Sequence, residues 1–215
     1  MNSSLMYKKI VKILCLCLVL LMSLGTLCAC SEEGVYRIDS FTRISGENVG
    51  VKTTYTYTND SKPKTISVEY PFSREKNYTD KFDYNNRGNL TTVTRTFTSG
   101  NAQTYSADKV TNYKYILYDQ SKKEYVTLVF DHSGFIVSYR YANGYVTEYG
   151  FSYDENGKPI SMKQLDATPS GSNRIFEYIA RFIDANTYHL YQSTSENNEK
   201  NEYYEVKFQK IEVKG

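Results

Sequence analysis

Residues 113–164 read YKYILYDQSKKEYVTLVFDHSGFIVSYRYANGYVTEYGFSYDENGKPISMKQ. Apolar and polar side chains alternate along the stretch. Three turn signals interrupt it: Asp131-His132-Ser133-Gly134, Asn143-Gly144 and Asp154-Glu155-Asn156-Gly157. A period of two sends successive side chains to opposite faces of a strand, so the stretch predicts strands joined by tight turns. Asn143-Gly144 predicts a type I′ turn, whose two central positions need a positive φ that Asn and Gly tolerate. In the Asp-x-x-Gly segments, Asp accepts bonds from its own turn's backbone and Gly enters the next strand in the left-handed conformation. Phe135, Val137, Tyr139 and Tyr141 share one face, with Ser138 and Arg140 on the other; Tyr149, Phe151 and Tyr153 repeat the pattern around Ser152. One buried and one wet face is what an antiparallel sheet permits.

Upstream, residues 35–44 and 51–57 flank a polar turn and predict a first hairpin with Val51, Thr53, Tyr55 and Tyr57 on one face. Residues 65–70 put Ile66, Val68 and Tyr70 inward until Pro71 stops the strand. Residues 81–84 and 89–97 surround Asn85-Asn86-Arg87-Gly88, another turn. Residues 98–108 show no period and are rich in Ser, Thr, Gly and Asn, which predicts a mobile loop; residues 166–173, holding Pro169-Ser170-Gly171, predict a second. Residues 174–184 fit two periods: Ile175, Ile179 and Phe182 suit a helix, whereas Phe176, Tyr178, Ala180 and Phe182 suit a strand. The strands on both sides favour the second. Residues 188–193 and 203–213 predict a closing hairpin. The chain therefore reads as all-β: an antiparallel meander forming a curled sheet or up-and-down barrel of roughly 8–10 strands.

The 215 residues include 22 Tyr and 10 Phe but no Trp, so the predicted core is built from rings. All four cysteines, Cys15, Cys17, Cys28 and Cys30, fall in the first thirty residues. The remainder has no thiol for redox or metal chemistry, and no His stands near the Cys-x-Cys pairs to complete a zinc site. Setting aside Lys8, Lys9 and Lys12 leaves 23 basic residues (26 − 3) against 24 acidic ones, a net charge of −1. Such a balance predicts no nucleic-acid partner.

Met1 to Ala29 has the parts of a secretory signal: basic residues, an apolar run over 13–22, and small residues ahead of a cleavage point. Its end, Leu27-Cys28-Ala29-Cys30, resembles the lipobox of bacterial lipoproteins. The resemblance implies a signal peptide over 1–29, Cys30 as the lipidated first residue, a short tether over 30–34, and one all-β domain over 35–215. The tether would reach only ~15 Å when extended. Localisation at the cell envelope follows, with the membrane reached through lipid on Cys30.

Three segments superpose: Tyr84-Asn85-Asn86-Arg87-Gly88-Asn89-Leu90, Phe130-Asp131-His132-Ser133-Gly134-Phe135-Ile136, and Tyr153-Asp154-Glu155-Asn156-Gly157 continuing to Ile160. The shared form is aromatic, Asx, two free positions, Gly, then an apolar residue shortly after. It resembles the YD repeats of large bacterial wall-associated and toxin-encapsulating proteins, in which each unit is a hairpin of a continuous sheet. Tyr153 lies 23 positions after Phe130, and Phe130 lies 46 after Tyr84; the midpoint, Ala107, carries no motif.

No nucleotide-binding, serine-hydrolase or zinc-protease motif occurs. His132 and His189 are the two histidines and show no ligand spacing, so no metal is expected. Asp131-His132-Ser133 contains triad residue types, but consecutive turn side chains diverge and form no relay. No catalytic residue and no cofactor is expected. The reading is a non-catalytic binding role for an envelope polymer or protein; alternatives are a carrier holding a lipid or apolar ligand in a partly closed sheet, and an envelope hydrolase with paired carboxylates.

Overall fold

The computed structural model describes residues 35–45, 48–60, 62–155, 159–192 and 202–211. Cys30, the leader and the tether lie outside the described residues. Four strands open the fold: β1 (Val35–Arg43), β2 (Lys52–Tyr57), β3 (Pro63–Glu69) and β4 (Tyr78–Tyr84), with a single 3-10 turn at Arg74–Lys76. Next come β5 (Leu90–Phe97), β6 (Ala102–Lys109), β7 (Lys114–Tyr118), β8 (Glu124–Phe130) and β9 (Ile136–Tyr141). The meander finishes with β10 (Val146–Tyr153), β11 (Pro159–Ala167), β12 (Asn173–Asp184), β13 (Thr187–Gln192) and β14 (Glu202–Ile211).

Each strand pairs antiparallel with its successor, and β14 returns to pair with β1 from Val35↔Ile211 to Arg43↔Tyr204. The meander is thus a closed barrel, which removes the unpaired edges that an open sheet would expose. It has fourteen strands rather than 8–10. One reason is that residues 98–108 are no mobile loop: they hold β6, paired with β5 and β7. Its inward side chains are Gln103, Tyr105 and Ala107, so one ring alone carries the apolar period, and that ring stacks on Tyr125 at 4.5 Å. The second predicted loop shrinks as well. β11 runs to Ala167, and a turn over 168–172 closes with Thr168 N–H on the Ser172 carbonyl at 2.9 Å. Residues 173–184 form a strand, as the alternation of Phe176, Tyr178 and Ala180 requires.

A round barrel of fourteen strands approaches the size at which barrels enclose a channel. Here rings from opposite walls close that space. Tyr55 on β2 meets Phe135 at the head of β9 with centroids 5.4 Å apart, Phe82 on β4 meets Phe130 on β8 at 6.4 Å, and Phe151 on β10 meets Phe208 on β14 at 6.5 Å. Edge-to-face contacts of this kind add about 0.5–1.5 kcal/mol each beyond the area they bury. The core is therefore packed, with Met162, Val206, Leu190 and Ile136 essentially without solvent contact.

The two ends of the barrel differ. At the terminal end β1 begins and β14 finishes, and the core beside it, Ile38, Ile66, Phe82, Leu90 and Phe208, is apolar apart from the buried Arg37 of β1. Near the opposite end, two polar groups are enclosed. Arg95 donates to both oxygens of Asp80 at 2.8 and 2.7 Å while its guanidinium lies 4.0 Å from the Tyr78 ring. Thr147 and Gln164 both donate to Asp166, and the Tyr204 hydroxyl reaches Gln164. A space of about 30 Å³ bounded by Asp80, Arg95, Tyr125 and Tyr141 is large enough for one water.

The turns correct one expectation in detail. At Asn143-Gly144 only Gly144 has positive φ (89°), and Gly144 N–H bonds the Tyr141 carbonyl while Tyr141 N–H bonds that of Tyr145. This is a type I turn with a glycine bulge, not type I′. The same hydrogen-bond pattern recurs at 85–89, 97–101 and 131–135, with Gly88, Gly100 and Gly134 in the left-handed position. At 119–123 that position is filled by Lys122, with φ 59°. A non-glycine residue there costs about 1–2 kcal/mol. Lys122→Gly is accordingly expected to stabilise the fold by about 1 kcal/mol, seen as a rise of roughly 2–4 °C in the thermal midpoint. An unchanged or lower midpoint would show that the strain is absorbed elsewhere.

Candidate functional site

An even number of strands between turns returns the chain to the same end of the barrel. For that reason the turns of all three motif segments, at Asn85, Asp131 and Asp154, lie at the terminal end. Asn85 Oδ1 accepts from the N–H groups of Arg87 and Asn89, and Asp131 Oδ1 accepts from those of Ser133 and Phe135. Asp119 makes the same pair of bonds, to Ser121 and Lys123, in the turn where Lys122 replaces Gly. The midpoint without a motif, Ala107, sits in β6, so the missing member of the series is the β6–β7 turn. That turn follows another path, with Val110 and Thr111 N–H groups sharing the Lys114 carbonyl.

This irregular turn helps to make a pocket. A half-open cavity of about 240 Å³ lies between the β2–β3, β6–β7 and β8–β9 turns, with the ends of β4 and β8 as walls. Tyr84, Tyr115 and Phe130 supply its rings, and Tyr113 and Asn112 stand at one side. Tyr115 and Phe130 hold one another edge to face at 5.9 Å. Tyr84 donates its hydroxyl to the Pro63 carbonyl at 2.8 Å, which fixes the ring, and Lys62 Nζ lies over one of its faces, 5.6 Å from the centroid. His132 packs edge-on against Tyr113 at 4.7 Å.

Two carboxylates border the same cavity, and each is committed to a structural task. Asp60 Oδ2 pairs with Lys62 Nζ at 2.5 Å and its Oδ1 accepts from Thr58. The bond from Lys62, followed by that from Thr58, holds the Asp60 carboxyl below its ordinary range. A general acid needs the opposite shift. Asp131 spends Oδ1 on the turn, accepting also from the Ser133 hydroxyl at 2.7 Å. Asp131, His132 and Ser133 are therefore a folded turn whose histidine faces a tyrosine, not a relay. On neighbouring β1, Arg37 lies 5.1 Å from the Tyr57 ring and its Nε has no hydrogen-bond partner. Burial holds that guanidinium below its ordinary value, opposed by Tyr57, Asp131 and Asp60.

His189 lies on β13 with Nε2 3.5 Å from Glu205, away from the pocket. Among the described residues, no three His, Cys, Asp or Glu side chains converge as metal ligands would. The arrangement can do one thing well: ring faces and an ion pair offer stacking and hydrogen bonds to a polar, ring-shaped ligand. Sequence reading singled out Asp131 and His132 but not Asp60, Lys62, Asn112 or Tyr113. The signal that reaches the latter pair is the gap in the motif series. No protein family matches the chain, and no curated protein matches its sequence.

Proposed function

We propose that the protein is a membrane-anchored bacterial lipoprotein, acylated at Cys30, whose role in the cell envelope is non-catalytic binding of a polymer. The observation that carries this reading is the terminal-end pocket: rings of Tyr84, Tyr115 and Phe130 beside the Asp60–Lys62 pair, with Asp60 held below its ordinary range and Asp131 Oδ1 taken up by its own turn. Sugar rings present an apolar face and a polar rim, which such walls complement. The ring-filled interior, with Met162, Val206, Leu190 and Ile136 closed to solvent, favours this over an internal lipid carrier. Cys30 precedes β1 by five positions, so the anchor joins the domain at the end that holds the pocket.

Two measurements test the reading. Cys30→Ala is expected to move the protein from the membrane fraction to the soluble one; a variant that stays on the membrane would remove the anchor. Calorimetric titration of the protein with soluble cell-wall glycan fragments is expected to show binding that His132→Ala weakens roughly tenfold, the size of about 1.4 kcal/mol. Equal heats for both proteins, or none for either, would dismiss the pocket as the polymer site.

A further inference from the structure

Eleven large apolar side chains are exposed among the described residues. Six of them, Val110, Tyr113, Tyr153, Ile160, Phe182 and Ile183, stand on or beside three turns of the terminal end, β6–β7, β10–β11 and β12–β13. Three others are at the opposite end and two on the outer wall of β12. The terminal end is also where the chain enters: thirty-four residues precede Val35, with an apolar run at 13–22 and Cys30 five positions ahead of β1. The charges at this end show no basic excess that would draw an anionic partner: Asp60, Asp131, Asp154 and Glu155 in the turns and Asp184 at the end of β12 stand against Lys62 and Arg87 in the turns and Lys109 and Lys114 beside the β6–β7 turn.

We propose that this end of the barrel seats on the lipid bilayer, with the six exposed apolar side chains on and beside these turns dipping into the boundary between headgroups and acyl chains. The inference rests on the Cys30 anchor proposed above. A tether that spans only ~15 Å keeps the end within reach of the surface. Tethering raises the local concentration of lipid so far that six side chains suffice for stable contact where they would not hold a free domain. Tyrosine, apolar in its ring and polar at its tip, is suited to that boundary. With no basic excess at this end, the seating depends neither on anionic lipid nor on salt. A consequence concerns the pocket: Asn112 and Tyr113 belong to one of the inserted turns, so its mouth opens at the bilayer surface, and the polymer it takes is one itself rooted in the membrane.

The absence of Trp makes a direct test available. Tyr113→Trp, Ile160→Trp and Phe182→Trp place a single reporter at each of the three turns, and Phe72→Trp places one at the opposite end, where Phe72 is 90% exposed. Each lipidated full-length protein is put into phosphatidylcholine vesicles carrying acyl chains brominated near the headgroup. The expected result is at least twofold quenching and a blue shift for the three terminal-end reporters, unchanged in high salt, and neither effect for Phe72→Trp. Protein that floats with the vesicles while all four reporters are quenched alike, or none is, would overturn the seating and leave the anchor standing. Protein that does not float with them overturns the anchor, and the seating with it.

Discussion

Asp80→Asn is expected to destabilise the barrel by about 3–5 kcal/mol, because it leaves a guanidinium inside the fold without its counter-charge. Asp80 and Arg95 are 13% and 19% exposed, and the two bonds between them, at 2.8 and 2.7 Å, form a bidentate fork. Burial alone would lower the Arg95 guanidinium; the hydrogen bonds and charge of Asp80 outweigh it and hold the group above its ordinary value. The Tyr78 ring, 4.0 Å away, is a second partner that cannot substitute for the first. With roughly 2–4 °C of midpoint lost per kcal/mol in a domain of this size, thermal unfolding followed by circular dichroism is expected about 6–20 °C lower. Removing both charges together, as Asp80→Leu with Arg95→Met, is expected to cost less than either single change, since an apolar pair of similar volume leaves nothing unpaired. A double variant as unstable as the sum of the singles would show that shape rather than charge makes this contact.

The second large effect is alkaline unfolding. Burial pushes Tyr55 and Tyr139 well above the ordinary phenol value and raises Tyr149 as well, and nearby tyrosines add to each shift. Below pH 10 both folded and unfolded chains hold these protons, so their contribution is fully present. Above about pH 10 the unfolded chain releases them and the folded chain does not, so the unfolded state binds fewer protons and stability falls as pH rises. Each enclosed ring contributes about 1.4 kcal/mol of loss per pH unit, and Tyr55, Tyr139 and Tyr149 together about 4 kcal/mol. A domain with ordinary stability of about 5–15 kcal/mol then unfolds within roughly one to four units above pH 10. Phenolate absorbance near 295 nm and loss of the far-ultraviolet strand signal are expected to rise together in one steep step. Smooth ionisation centred near 10 with the strand signal intact would mean that the rings are reached by water.

Much of this fold was legible because its turns are chemical. The Asx and Gly positions at 85–88 and 131–134 state both the place and the direction of reversal, and the bonds formed there are the ones those side chains allow. β6 was not legible, since Gln103 and Ala107 occupy inward places that elsewhere hold rings. Only pairing with both neighbours makes it a strand. The choice between curled sheet and barrel stayed open for a related reason: closure depends on contacts such as Thr42↔Glu205, between residues far apart in the chain, which no local pattern encodes. The turn type at Asn143 was misread because Asn-Gly suits either geometry, and the five-residue closure from Tyr141 to Tyr145 decides between them. At the pocket, Asp131 and His132 stood out as residue types, whereas Asn112 and Tyr113 matter through where β6 and β7 deliver them.

Closure of the meander on itself is the claim on which the packed interior, the placing of the pocket at the end where β1 begins, and the buried tyrosines all depend. Native-state amide hydrogen exchange on β1 and β14 tests it most directly, at Phe41↔Val206 and its neighbours. Joined as the final seam of a barrel, the hydrogen-bonded amides of both strands should exchange as slowly as those of β5 and β8, at rates set by global unfolding. Exchange in β1 and β14 that is orders of magnitude faster than in β5 and β8 would show an open sheet with two frayed edges, and the account would fail at its seam.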